Sequence, residues 1–200
     1  MENPQEEIRG VIVQLTSASS PDLQRRTVER YMTPDVAFRH PVCAVESGPT
    51  SRKTVLGIYQ WYRVLSPHIE VQVNSVVWDS EHGYMFLDIQ QWFKLFFVPV
   101  RPKPSRLCTR LTLRKEDDGL YYISMQEDFY HPDDFMALLL PPLVPFIHMV
   151  LLIAGLASSL NASFAHFFGF WRPIESNGSN SHLDGPSEEE DLYHDFNKHH

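Results

Sequence analysis

Apolar positions recur at helical spacing through the first third of the chain and at alternate positions after it, so the pattern predicts helices first and strands second. Ile8, Val11, Ile12 and Leu15 share one helical face behind Asn3 and Pro4, a cap and a first-turn proline. Ser20 and Pro21 repeat that start signal, and a second helix carries Leu23, Thr27 and Tyr31 until Pro34, where it has to stop. Residues 35–42 are short and β-rich. Ser51 to Ser66 then sets Val55, Ile58, Tyr59, Tyr62 and Leu65 on one stripe that ends at Pro67. Thereafter the period is 2, in runs at 69–78, 84–97, 105–115 and 121–130, with turn signals at 80–83 and 116–119. One parity is apolar throughout: Val71, Val73 and Val77; Met85, Leu87, Ile89 and Phe93; Leu107, Leu111 and Leu113; Ile123, Met125 and Phe129.

Charge divides the chain into three parts. Residues 1–134 hold 15 basic and 18 acidic side chains, residues 172–200 hold 2 and 7, and the 37 residues between them hold none, within a net charge of -8. An acidic chain lacks the concentrated positive surface that phosphate binding needs, which sets nucleic acid aside as a partner. The two cysteines, Cys43 and Cys108, are too few and too far apart for a disulfide framework or a zinc pair, and a reduced, cytosolic setting is expected for both. Met-Glu-Asn-Pro-Gln-Glu-Glu has neither the basic start nor the apolar run of a secretory signal. Residues 172–200 are polar, acidic and poor in branched aliphatics, and are expected to be a disordered tail.

Three helices interrupted by one strand, followed by a four-stranded meander, make an α+β chain. Its order of elements resembles the nuclear-transport-factor-2-like, or SnoaL-like, cone fold. More narrowly, Phe38-Arg39-His40-Pro41, Ile58-Tyr59-Gln60-Trp61-Tyr62, Val73-Asn74-Ser75-Val76 and Gln126-Glu127-Asp128-Phe129-Tyr130 look like the fungal proteins with a SigF-like domain of this type. The resemblance covers roughly residues 1 to 170. It implies a cone-shaped curved antiparallel sheet wrapped around three N-terminal helices over 1–134. A hydrophobic helical segment at 135–171 and the acidic tail at 172–200 come after the cone. It also implies an apolar pocket inside the cone and a homodimer formed through the outer sheet face. Such cones host isomerases, dehydratases, polyketide cyclases, epoxide hydrolases and inert binding modules, so activity has to be argued from the site.

Candidate chemistry lies where polar residues interrupt apolar faces. On the apolar strand parity these are Ser75, Gln91, Thr109 and Glu127; the third helix adds the hydroxyls of Tyr59 and Tyr62, and His40 ends the alternation of Val36 and Phe38. Adjacent strand residues point to opposite faces, so only one of Glu127 and Asp128 enters the pocket. Strict parity selects Glu127; a bulge near the strand end would instead turn in Gln126, Asp128 and Tyr130. A carboxyl raised by desolvation beside a phenol or imidazole suits proton transfer next to a carbonyl. The expected catalytic set is thus His40, Tyr59 and Glu127 or Asp128, with Tyr62, Gln91, Thr109, Gln126 and Tyr130 holding the ligand. Each has a plain structural alternative: a strand-end histidine, core aromatics, a carboxylate paired with an arginine. The opposite parity, with Asp88, Gln90, Arg106, Arg110, Arg114 and Gln126, reads as a solvated or pairing face.

No GxSxG, GxxxxGK[ST], HExxH or GxGxxG string occurs, and the histidines form no ligand-spaced cluster, so neither a cofactor nor a metal is expected. The reading is an isomerase, dehydratase or cyclase acting on a hydrophobic small molecule of secondary-metabolite type, or else a non-catalytic binding or scaffold module. The uncharged segment decides where it works. Prolines 141, 142 and 145 stop one helix and allow another, and 144–160 is apolar on every side, as in lipid or a deep core. In lipid it would hold the cone on the cytosolic face of an endomembrane such as the endoplasmic reticulum, beside neighbouring membrane enzymes. As core, it would lid the cone or bury itself in a dimer of a cytoplasmic protein. Asn161 and Asn177 head glycosylation acceptors that matter only if that end reaches a lumen.

Overall fold

The computed structural model describes residues 1–97 and 104–170; the tail at 172–200, with Asn177, lies outside the described residues. Pro4 opens α1 (Pro4–Ser17), where its missing N–H leaves no acceptor unserved. The cap differs from the expected one. The Asn3 side chain makes no capping bond, and the carboxylate of Glu7 reaches back to accept the N–H groups of Glu2 and Asn3 at 2.7 and 2.9 Å. Ile8, Val11, Ile12 and Leu15 are buried as a stripe. α2 (Pro21–Tyr31) is capped by Ser20, whose hydroxyl oxygen accepts the Leu23 N–H at 3.2 Å. The chain then passes directly into β1 (Met32–His40), with Pro34 inside the strand, and turns at Pro41 and Val42 into β2 (Cys43–Val45). The single strand expected at 35–42 is therefore a hairpin.

α3 (Ser51–Leu65) buries Ser51, Val55 and Tyr59. The meander comes next as β3 (Glu70–Asp79), β4 (Tyr84–Trp92), β5 (Pro104–Lys115) and β6 (Tyr121–Tyr130). One curved six-stranded sheet results, in the order β2-β1-β6-β5-β4-β3, with β1 parallel to β6 and every other pair antiparallel. The helices pack on its inner face, α1 against β3 and α3 against β1. The β3–β4 turn requires glycine: Gly83 has φ +71°, and a Cβ there would lie 2.8 Å from the Leu113 carbonyl oxygen. As a strand the run at 84–97 stops at Trp92. Phe93 and Leu95 stay buried in a loop tied to the end of α3 by Lys94 N–H to Ser66 Oγ (3.0 Å) and Phe96 N–H to the Leu65 carbonyl (2.9 Å).

The register shifts between Met32 and Ala37 where β1 pairs with β6, and two bulges in the meander break its strict alternation. In β3, Val73 pairs with Ile89 and Ser75 with Asp88, so Asn74 is the extra residue. Val76 and Trp78 consequently turn toward the core while Ser75 and Val77 face outward, Val77 with 60% of its surface exposed. The Arg9 guanidinium donates to the Val73 and Asn74 carbonyls at that bulge. In β6, Leu113 pairs with Ile123 but Thr112 with Met125, so Ser124 is extra, its hydroxyl donating to the Thr112 carbonyl at 3.1 Å. Phe129, expected inside, is about half exposed as a result.

α4 (Pro132–Leu139) runs straight through the boundary expected at 134/135. It is tied to β5 at its start: the Asp134 carbonyl accepts the Ser105 hydroxyl at 2.8 Å and the Asp134 carboxylate accepts the Arg106 N–H at 3.0 Å. A short 3-10 turn (Pro141–Leu143) leads to α5 (Val144–Phe167). None of the 24 residues of α5 is buried, and Pro141–Phe167 is long and apolar enough to cross a membrane. Contacts divide the chain into two units, Met1–Gly155 and Leu156–His200, and every element of the sheet belongs to the first.

Candidate functional site

The inner face of the sheet, α1, α3 and α4 enclose a cavity of about 310 Å³. Most of its wall is apolar, from Ile12, Phe38, Ile58, Leu65, Ile89, Phe93 and Leu107. Its polar groups come from seven elements, α1 contributing Thr16. β1 ends in His40, α3 presents Tyr59 and Tyr62 one turn apart, β4 supplies Gln91, β5 supplies Thr109, and β6 supplies Gln126, Asp128 and Tyr130. Cys43 of β2 completes the group, its Sγ 3.7 Å from the Tyr62 hydroxyl.

The Ser124 bulge decides which acid enters. Past it, Gln126, Asp128 and Tyr130 face the cavity, and Glu127 faces the other side of the sheet. There Glu127 Oε2 lies 3.2 Å from Arg110 Nε, close enough for an ion pair although the angle falls short of a hydrogen bond, and the Arg110 guanidinium sits over the Tyr84 ring at 4.6 Å. Glu127, the residue that strict parity selects, is thus absent from the cavity wall. Ser75, likewise, faces outward. His40, Tyr59, Tyr62, Gln91, Thr109, Gln126, Asp128 and Tyr130 are brought together.

Asp128 is the centre of the arrangement. Its Oδ1 accepts from the Thr109 hydroxyl at 2.7 Å and from the Gln126 amide at 3.2 Å; among the described residues Oδ2 takes only the second branch of that amide, also at 3.2 Å. The Tyr59 hydroxyl donates to Gln126 Oε1 at 2.6 Å, which orients the amide so that its NH₂ faces the carboxylate. Among the described residues no cation pairs with Asp128. Burial pushes its carboxyl up to about 6, against the two hydrogen bonds that favour the ionised form. Burial also pushes the Tyr59, Tyr62 and Tyr130 phenols above their usual range, so all three remain proton donors at neutral pH.

His40 sits in an aromatic cage, with ring centroids 5.4 Å from Tyr130, 5.7 Å from Tyr62 and 6.1 Å from Phe135. Burial lowers it to about 4, so it is neutral at pH 7. The Val42 N–H points at Nδ1 from 3.4 Å, which assigns the ring proton to Nε2. The Gln91 amide donates to the hydroxyl of that same Tyr130 at 2.8 Å. A base with a free lone pair, neutral donors around it and a dry wall are the components of proton transfer beside a carbonyl.

The lid was not among the expected site residues. Phe135, Leu138 and Leu139 of α4 close the cavity, and their i, i+3, i+4 spacing after Pro132 was the available signal. Cys43 had none, because its place depends on the hairpin at Pro41 and Val42.

A cone-shaped α+β fold with one polar cluster in an apolar cavity defines the nuclear-transport-factor-2-like class. Residues 1–170 match the SigF NTF2-like domain, and the chain belongs to that family. The chain is also similar to solved structures. A putative SnoaL-like polyketide cyclase from Jannaschia sp. CCS1 is 18% identical, with a TM-score of 0.50, over 69% of this chain and 95% of that one. A hypothetical protein with a ketosteroid isomerase-like fold from Catenulispora acidiphila, in complex with trimethylamine, is 13% identical over 64% and 90%, with a TM-score of 0.49. An LEH-like epoxide hydrolase from M. tuberculosis is 13% identical over 68% and 92%, with a TM-score of 0.48. No curated protein matches the chain.

Proposed function

We propose that the chain is an isomerase, dehydratase or cyclase that moves a proton on a small, largely apolar molecule without a cofactor, and that α5 holds it at a membrane. The observation that carries the reading is Asp128: a carboxyl in an apolar cavity, with no cation beside it among the described residues and with Oδ2 left underused. Ionised, it takes a proton from a carbon next to a carbonyl. The neutral His40 Nε2–H and the Tyr62 and Tyr130 hydroxyls are the groups that can donate to the oxygen as it gains charge, and the proton returns from Asp128 to another carbon or leaves with a hydroxyl. Gln126 and Thr109 hold the carboxyl in place.

Turnover tests this. With a panel of apolar enolisable ketones in deuterium oxide, the natural chain is expected to exchange α-protons for at least one. Asp128→Asn should lower that rate by a factor of about 100 or more. Exchange at the uncatalysed rate by both chains would leave the rival reading, a module that binds an apolar ligand without changing it, and equal catalysed exchange would remove Asp128 as the base. The pairing of Asp128 Oδ1 by two donors favours that rival, since a purely structural carboxyl would be held in the same way.

The membrane part of the reading is supported by the length and composition of Pro141–Phe167 and by the absence of any buried residue in α5. It puts the cone on the cytosolic side of an endomembrane, in keeping with the 15 basic residues before the helix and 2 after it. Sugar on Asn177 in cells would establish that topology; a chain recovered wholly in the soluble fraction would remove it.

A further inference from the structure

The side chains at the open end of the cavity are apolar on their outer surfaces as well as their inner ones. Val42 and Trp61 line the cavity and yet keep 59% and 56% of their surface exposed, which places them at its rim. The loop after β4 lies at the same end, since Phe93 and Leu95 line the wall and the Phe96 N–H is bonded to the carbonyl of Leu65, another lining residue. Phe96 and Phe97 beyond them are 65% and 61% exposed. α4 lines the cavity with Leu139, and residues that follow it in sequence, Leu140 and Leu143, are again exposed. Exposed apolar residues scattered singly need no explanation, but a collar of them around one opening does.

The occupant is indicated by the segment that continues from the collar. Leu140 and Leu143 lead without a charged residue into α5, which at about 1.5 Å per residue is some 36 Å long, enough for a hydrocarbon layer of about 30 Å. A tryptophan and phenylalanines at the rim, with Lys94 pointing outward between the buried Phe93 and Leu95, are the residue types that sit at the level of lipid headgroups. We propose that the mouth of the cavity is seated on the bilayer from which α5 descends, so that ligand passes between lipid and cavity without crossing water. This rests on the membrane reading above and adds to it an orientation, a docking surface and a substrate class: molecules that partition into the bilayer.

The test separates the two. Full-length chain carrying Trp78→Phe, Trp92→Phe and Trp171→Phe keeps Trp61 as its fluorophore. A companion keeps Trp78, which lies seven residues, about 23 Å, along β3 from the cavity residue Val71. Both are reconstituted into phosphatidylcholine vesicles with or without lipid brominated midway along its acyl chains. Trp61 emission is expected to fall about twofold or more in brominated vesicles, with Trp78 little changed. In the otherwise natural chain Trp61→Phe, which keeps an aromatic ring at the rim, should remove part of the quenchable emission. Flotation with the vesicles but equal quenching of Trp61 and Trp78 would overturn the seated mouth and leave membrane attachment standing. An unquenched Trp61 in a chain of dimeric mass would overturn it equally, with a second copy on the collar. Failure to float would overturn both readings.

Discussion

Burial acts in opposite senses on the two titratable groups that matter most. Asp128 is raised from 3.8 to about 6 because the apolar wall disfavours its charge, so its contribution to stability is complete below 3.8 and is lost as pH rises through 6. A shift of that size corresponds to about 3 kcal/mol at neutral pH. Asp128→Asn is therefore expected to raise the melting temperature by about 6 to 12 °C at pH 8 and to leave it nearly unchanged at pH 4, while removing the proposed base. Scanning calorimetry at the two pH values checks this; destabilisation at pH 8 would mean that the charged form is favoured in the fold. His40 runs the other way. Lowered from 6.5 to about 4, it contributes stability above 6.5 that is lost as pH falls through 4. His40→Phe should remove a loss of up to about 3 kcal/mol that His40 alone contributes as pH falls over that interval, so that urea stability then rises toward low pH with the Asp128 trend uncovered. The cavity residues His40, Tyr59, Tyr62, Gln91 and Thr109 were legible as polar interruptions of apolar faces. The choice between Glu127 and Asp128 was not, since it turns on one inserted residue that carries no glycine or proline to announce it.

The same physics operates along whole elements. Helical stripes read well from sequence because burial of α1 and α3 follows the 3.6 period directly, and α1 buries all four residues of its predicted face. Leu15→Ala should cost about 2 to 5 kcal/mol by chemical denaturation, whereas Val13→Ala on the exposed side should cost less than about 0.5. Strand parity reads well only as far as the first bulge. β4 has no register shift, and Met85, Leu87 and Ile89 are buried as expected; β3 and β6 invert after Asn74 and Ser124. Deleting Ser124 would restore strict alternation, turning Glu127 inward and Gln126, Asp128 and Tyr130 outward. A chain lacking it is expected to lose cooperative unfolding, and native-like stability in that variant would show that the bulge does not govern the face.

At the level of the molecule, charge along the sequence sets a boundary at 134/135, and that boundary falls inside α4. The uncharged stretch begins inside α4, whose Phe135, Leu138 and Leu139 belong to the cavity, and only the helix beyond the Pro141–Leu143 turn leaves every side chain unburied. A lid and an apolar helix therefore share one uncharged run, which composition alone cannot divide. All of the proposed chemistry depends on the cone keeping water from one carboxyl. The most direct measurement is a carbon-13 NMR titration of the Asp128 carboxyl in the intact chain, assigned by its loss in Asp128→Asn. A midpoint near 6 is the predicted result. A midpoint at or below the ordinary 3.8 would mean a solvated or ion-paired carboxylate, and would contradict proton transfer at this site.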